Sequence, residues 1–349
     1  MSAEAGPSRR LSALAGLPAP APLLPAHLRH VPDRSQLREG LRELAGRWSW
    51  SELSWSELVE ALLVVGRSDV PRARLTEGHA DALRICAQGR HVPEPGALYG
   101  VWASRSGETG VRAVATDDGL SLTGEIKFAS GAGVLDRALV PVWTSDDEHQ
   151  LVDLVLDELP VDTTAWQTAA MAGSQSHTVH LDAVRVPGTA VVGTQNFYLD
   201  RPAFLPGGVG VAAVWVGGLA RVCDLVLARI GRKGTPPVDL RLGRARTALT
   251  AGAAVVRQAG QQLDRLLDPL GRWQHGADRD RVQPLCTEVR AAVGAAVDEV
   301  LGQVRVLAGP AGLAFDADLS HAVDDLSLYA LQQSRDGDAG YLGRTWREA

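Results

Sequence analysis

The sequence predicts an α+β fold in three parts: an N-terminal helical domain, a central β-sandwich or barrel domain, and a C-terminal bundle of long helices. Three observations predict it. Apolar residues recur at helical spacing in the first part, alternate in the second, and return to helical spacing over many turns in the third. The boundaries expected from these changes are a tail at 1–33, helices at 34–95, strands at 96–196 and the long bundle at 205–349.

The tail carries Arg9 and Arg10 ahead of an apolar run that resembles a signal peptide. Pro18, Pro20, Pro22 and Pro25 interrupt that run, so a disordered Ala/Pro segment in a cytoplasmic protein is expected. The chain of 349 residues is 45% hydrophobic with a formal net charge of −6. That is the composition of a globular protein, and with no dense Lys/Arg stretch it gives no reason to expect a nucleic-acid partner. Cys86, Cys223 and Cys286 are far apart, odd in number and without a CxxC pair, which argues against a disulfide framework or a zinc site.

In the first helical part, Leu37, Leu41 and Leu44 share one face. Leu53-Ser54-Trp55-Ser56-Glu57-Leu58 carries helix-start chemistry ahead of a second apolar run. Gly78-His79-Ala80-Asp81 is expected at a helix start, with the polar side chain as a cap. In the second part, a turn at Asp117-Asp118-Gly119 precedes Leu120-Ser121-Leu122-Thr123-Gly124-Glu125-Ile126-Lys127-Phe128, where apolar and polar residues alternate without a slip. The alternation then dissolves into Ala129-Ser130-Gly131-Ala132-Gly133, as it would if a flat ligand lay against the backbone there. Further strands are expected at Ala138–Trp143, Leu151–Leu156 and His177–Pro187. His177 and His180, three apart on a strand, point to opposite faces and cannot share a metal.

In the third part, Leu242, Ala245, Leu249, Gly252, Val256, Ala259, Leu263 and Leu266 form one stripe, ended by Asp268-Pro269. Val289, Val293, Val297, Val300, Val304 and Leu307 form another, stopped by Gly309-Pro310. Small residues interleave both, which suits close packing in a bundle.

This order, together with LTGEIKFASGA, ALVPVW, Trp166 ahead of QTAAMAGSQSHTVHLDAVRVP, and VGGLARV at 216–222 taken as a helix start, resembles the acyl-CoA dehydrogenase family of FAD-containing proteins. The resemblance implies that Phe128 stacks near the flavin ring while Ala129 and Ser130 hydrogen-bond its polar edge, the serine hydroxyl as a possible donor. It implies a second flavin segment at Tyr99, Val101 and Trp102, although the Ser104–Glu108 loop and Trp102 itself depart from the family pattern. Arg232, beside Lys233, falls near the family's pyrophosphate arginine and equally fits a solvated basic loop end. A homodimer or homotetramer follows, because the family completes its FAD site across a subunit contact.

What the resemblance lacks is the base. The family's catalytic glutamate falls, by the spacing from Asp325 and Tyr329, on Gln333, and an amide cannot accept the α-proton. The alternative seat, at Leu205-Pro206-Gly207-Gly208-Val209-Gly210, has no carboxylate. Asp336 reaches the same side as Gln333 if the helix continues past Gly337. Val306 replaces a glutamine that contacts FAD. The reading with an acyl-CoA substrate, in which Gln333→Glu restores the base, therefore stands beside two others. One is a flavin-dependent monooxygenase on the same fold; the other is a non-catalytic subunit paired with an active paralogue.

Overall fold

Helix α1 (Arg34–Ala45) opens with Asp33, whose carboxylate accepts the Ser35 N–H, and it buries Leu37, Leu41 and Leu44 as the spacing requires. The computed structural model to which it belongs describes residues 33–105, 109–232 and 234–348. The tail expected at 1–33 falls outside these except for Asp33, as do Ser106-Gly107-Glu108 and Lys233.

Helix α2 (Trp55–Ser68) starts from a capping box in which the Ser54 side chain accepts the Glu57 N–H and Glu57 accepts the Ser54 N–H. The Asp264 carboxylate of a distant helix takes the Trp55 and Ser56 N–H groups, so this N-terminus is anchored twice. Helix α3 (Val70–Gln88) begins at Asp69, with Pro71 in its first turn. Gly78-His79-Ala80-Asp81 is therefore mid-helix rather than a helix start. His79 is committed elsewhere, its Nδ1 accepting the Tyr99 N–H, and burial pushes its pKa down to about 4.

Eight strands follow: β1 (Tyr99–Val101), β2 (Gly110–Ala115), β3 (Gly119–Ala129), β4 (Arg137–Trp143), β5 (His149–Val155), β6 (Val161–Asp162), β7 (His177–Pro187) and β8 (Val191–Val192). They form one hydrogen-bonded sheet in the order β6-β7-β3-β2-β4-β5-β8, with β1 parallel to β4. On β7, His177 is buried and His180 exposed.

A short helix α4 (Phe197–Asp200) leads into the bundle of α5 (Phe204–Ile230), α6 (Pro236–Leu266), α7 (Arg279–Phe315), α8 (Ala317–Ala330) and α9 (Arg335–Glu348). Gly309 (φ 61°, ψ 179°) breaks α7 where Gly309-Pro310 is expected to stop it. Helix α5 is long and apolar enough to cross a membrane, but 72% of its most apolar stretch is buried inside the fold. It is the core of the bundle. VGGLARV lies in its middle, not at its start, for a packing reason. A Cβ on Gly217 would stand 2.5 Å from the Leu63 carbonyl, and one on Gly66 would stand 2.6 Å from that of Val214. Glycines let the α2 and α5 backbones touch. Beside that contact, Arg67 of α2 grips Asp224 of α5 in two hydrogen bonds, Nε–Oδ2 at 2.8 Å and Nη2–Oδ1 at 2.9 Å.

Candidate active site

Strand β3 loses register with β7 between Ile126 and Ala129, and the bulge puts Phe128 at φ 57°. A bulky residue in the left-handed region carries strain of about 1–3 kcal/mol, a cost usually met at functional positions. The distortion turns Phe128 outward: its ring is 57% exposed and meets Trp166 edge-on, centroids 6.1 Å apart. Past the bulge, Ala129 and Ala132 are fully buried and Gly131 (φ 82°) lies against Leu135. The small residues thus serve the chain's own fold-back as well as any ligand.

Phe128, Ser130 and Trp166 line one wall of a cleft of about 680 Å³. Such a size lies within the range of small-molecule sites. Val101 joins this wall. Ala103 and Ser104 of the expected flavin segment join it too, but Tyr99 and Trp102 do not. The Tyr99 hydroxyl donates to Asp153 and Tyr99 is fully buried. Trp102 turns inward, and its Nε1 donates to the Ser130 carbonyl at 2.9 Å. It props the strand end from behind.

The serine hydroxyls in this wall are ordered by their last acceptor. Ser174 Oγ donates to the Met171 carbonyl at 2.7 Å, which uses its single proton. The 2.7 Å Ser174–Ser176 contact is then donated by Ser176, and the 2.8 Å Ser176–Ser130 contact by Ser130. Ser130 consequently faces the cleft with lone pairs, not with the donor hydroxyl expected of it.

The opposite wall is helical and charged. Arg74 Nη1 and Glu77 Oε2 of α3 pair at 2.9 Å, and Arg201, just past α4, lies 3.7 Å from Asp81 of α3. Tyr198 and Tyr329 complete it. Burial pushes the Glu77 carboxyl up to about 7, with Asp81 adding to the rise and Arg74 opposing it. At Arg74, burial opposes the charge but the surrounding carboxylates and phenols outweigh it, so its pKa rises. This cluster was legible only as charges three and four apart along α3, a pattern more often found on a solvated face.

At the C-terminal end of the cleft the expected base position, Gln333, does not line it. Helix α8 stops at Ala330, and Leu331 and Gln332 turn into the cleft. Gln333 turns away: its Nε2 donates to Asp338 at 2.9 Å, and its Oε1 is buried over Gly294 without a hydrogen bond. Asp336 is exposed in the first turn of a separate helix, α9, and does not line the cleft. Arg232 follows the C-cap Gly231, also outside the cleft wall. Gln333→Glu would set a buried carboxylate against Asp338 and remove the donor between them. We expect it to cost about 2 kcal/mol or more of stability and to add no flavin reduction by acyl-CoA. Urea denaturation and anaerobic flavin absorbance check both halves, and a stable variant that bleaches flavin would restore Gln333 to the site.

The fold is the acyl-CoA dehydrogenase-like one, and solved structures that share it include chains in complex with FADH2 and with FMN. XiaF from Streptomyces sp., in complex with FADH2 and glycerol, superposes with a TM-score of 0.70 at 19% identity, over 92% of this chain and 89% of that one. TdsC from Paenibacillus sp. A11-2, with FMN and indole, gives 0.77 at 15% identity, over 97% and 95%. The HsaA monooxygenase from M. tuberculosis gives 0.69 at 14% identity, over 98% and 95%. No protein-family model matches the chain, and no curated protein sequence does. Likeness at these identities carries the fold alone.

Proposed function

We propose that the chain is a flavin-dependent monooxygenase acting on a small organic substrate held in this cleft. One observation carries the reading: the segment after α8 presents an amide, Gln332, and the cleft's two carboxylates, Glu77 and Asp81, each lie beside an arginine. Among the described residues of the cleft no carboxylate lies away from an arginine, so chemistry that needs no free base fits best. The similar structures, the HsaA monooxygenase among them, support the same choice.

The residues present fit a flavin. An exposed, strained aromatic beside a second ring offers a flat platform, and Ser130 offers an acceptor for a ring N–H. FAD is the form the family resemblance implies. Held there in reduced form, a flavin would supply two electrons to dioxygen, one oxygen atom entering the substrate and the other leaving as water. The chain's part is to hold the substrate against the helical wall and to exclude water with Phe204, Val211 and Leu328. One observation favours dehydrogenation instead: a Cβ on Gly207, in the alternative glutamate seat, would lie 3.7 Å from Asp81 Oδ1.

Purified protein mixed with FAD or FMN is expected to keep flavin absorbance through gel filtration and to consume oxygen once the flavin is reduced. Saturated acyl-CoA compounds are expected to leave the oxidised flavin unbleached under anaerobic conditions. Rapid bleaching would establish the dehydrogenase, and a chain that takes up neither flavin would leave only the non-catalytic subunit.

A further inference from the structure

The helical wall holds more hydrogen-bond donors than acceptors. Arg201, 5% exposed, sends Nη1 to the Tyr198 carbonyl and leaves Nε buried without a partner among the described residues. The Tyr329 hydroxyl is buried there too, and Gln332 approaches it without closing a hydrogen bond of good geometry. A buried donor lacking an acceptor carries a standing penalty, which an incoming oxygen removes.

Charge points to the same kind of oxygen. Glu77 is faced by Arg74 and Asp81 from its own helix, by Tyr198 of α4 and Arg201 just past it, and by Tyr329 of α8. Arg290 of α7 stands behind Tyr329, near Gly208 of α5. Arg74 and Arg201 are balanced only while Glu77 and Asp81, one turn apart on α3, are both ionised, and like charges at that spacing disfavour each other. An anion arriving between the arginines would leave Glu77 as the surplus charge.

We propose that this polar end receives the carboxylate of the substrate, and that each carboxylate bound brings one proton from solvent onto Glu77. An O–H bond forms on Glu77; no bond to the substrate forms and no electrons move. Phe128, Trp166, Phe204, Val211, Leu328 and Leu331 supply the apolar remainder of the cleft. The substrate class is therefore an aryl or alkyl carboxylic acid. The proposal rests on the monooxygenase reading only in taking this cleft as the substrate site. Because burial holds the Glu77 carboxyl near 7, the coupling falls in an accessible pH range.

The test is calorimetric titration of the full chain with 4-phenylbutyrate, and with 4-phenylbutyramide as its uncharged counterpart, in HEPES and Tris at pH 8 and in acetate and MES at pH 5.5. The heats in two buffers of different ionisation enthalpy count protons. At pH 8 the acid is expected to take up close to one proton, at pH 5.5 close to none, and its affinity to fall nearly tenfold per pH unit above about 7.5. Glu77→Gln is expected to bind the acid without proton uptake or pH dependence. Equal binding of acid and amide, no binding of the acid, or uptake that persists in Glu77→Gln would overturn the proposal. If that variant fails to fold, the acid, amide and pH arms on the wild type still decide. Flavin absorbance on the same samples separates the two readings. Proton-coupled acid binding without flavin uptake keeps this inference and removes the monooxygenase; flavin uptake without acid binding does the reverse.

Discussion

Replacing Arg67 by Met is expected to destabilise the protein by about 3–5 kcal/mol, the range for breaking a buried ion pair from one side. Arg67 is 1% exposed and Asp224 7%, and two hydrogen bonds join them across the contact of α2 and α5. Burial already pushes the Asp224 carboxyl upward against the pull of Arg67. Without the guanidinium, the carboxylate must either stay charged in the interior or bind a proton, and both are costly. Domains are typically stable by only about 5–15 kcal/mol, so this one change removes much of the margin. The double variant Arg67→Met/Asp224→Leu is expected to recover most of the loss, because an ion pair exchanged for apolar volume is often neutral. Urea denaturation of the three proteins measures it. A single variant losing less than about 1 kcal/mol would show that water reaches the pair.

Glu77→Gln and Asp325→Asn are each expected to gain stability relative to the wild type as pH rises from 5 to 8, on the order of 3 kcal/mol. Burial pushes Asp325 up to about 7, as it does Glu77. At Asp325, the Met171 N–H opposes the rise and Asp69 and Asp324 add to it. Both carboxyls keep their proton in the folded chain at pH values where the unfolded chain has lost it. Their contribution is therefore present at low pH and lost as pH climbs through about 7. His79, His149 and His177 act in the opposite sense, since burial lowers their pKa values and acid favours the unfolded form. The wild-type pH curve mixes the two effects; the variant-minus-wild-type difference isolates each carboxyl. A difference that stays flat between pH 5 and 8 would show that the carboxyl titrates normally.

Much of the fold was legible because its determinants are local. The stripe along α6, the capping box at Ser54 and the alternation of β3 and β7 are patterns within single elements. The cleft wall was legible where it rests on such an element, at Phe128 and Ser130, whose strand ends as the pattern ends. It was not legible where packing decides. Trp102 and Tyr99 sit on the strand expected to line a flavin, yet their polar atoms are claimed by Ser130, just past β3, and by Asp153 of β5. Gln333 lies outside the cleft because α8 ends at Ala330 and the chain then changes direction, which its spacing from Tyr329 did not show. Arg74 and Glu77 were missed, and the Gly78–Asp81 stretch was taken for a helix cap, because a charged run along a helix looks alike whether it faces solvent or the inside of a cleft.

The three serines have a consequence of their own. Because the Met171 carbonyl ends the series, the direction of every hydroxyl in it is set at the end away from Ser130. Removing the Ser174 hydroxyl alone would free Ser176 and Ser130 to rotate their protons. The strand end could then offer either sign of partner. The chain thus stores one bit of polarity in a loop and reads it out two side chains later. Its preference for what lies on the β3 wall would change without altering any residue that touches it through β3.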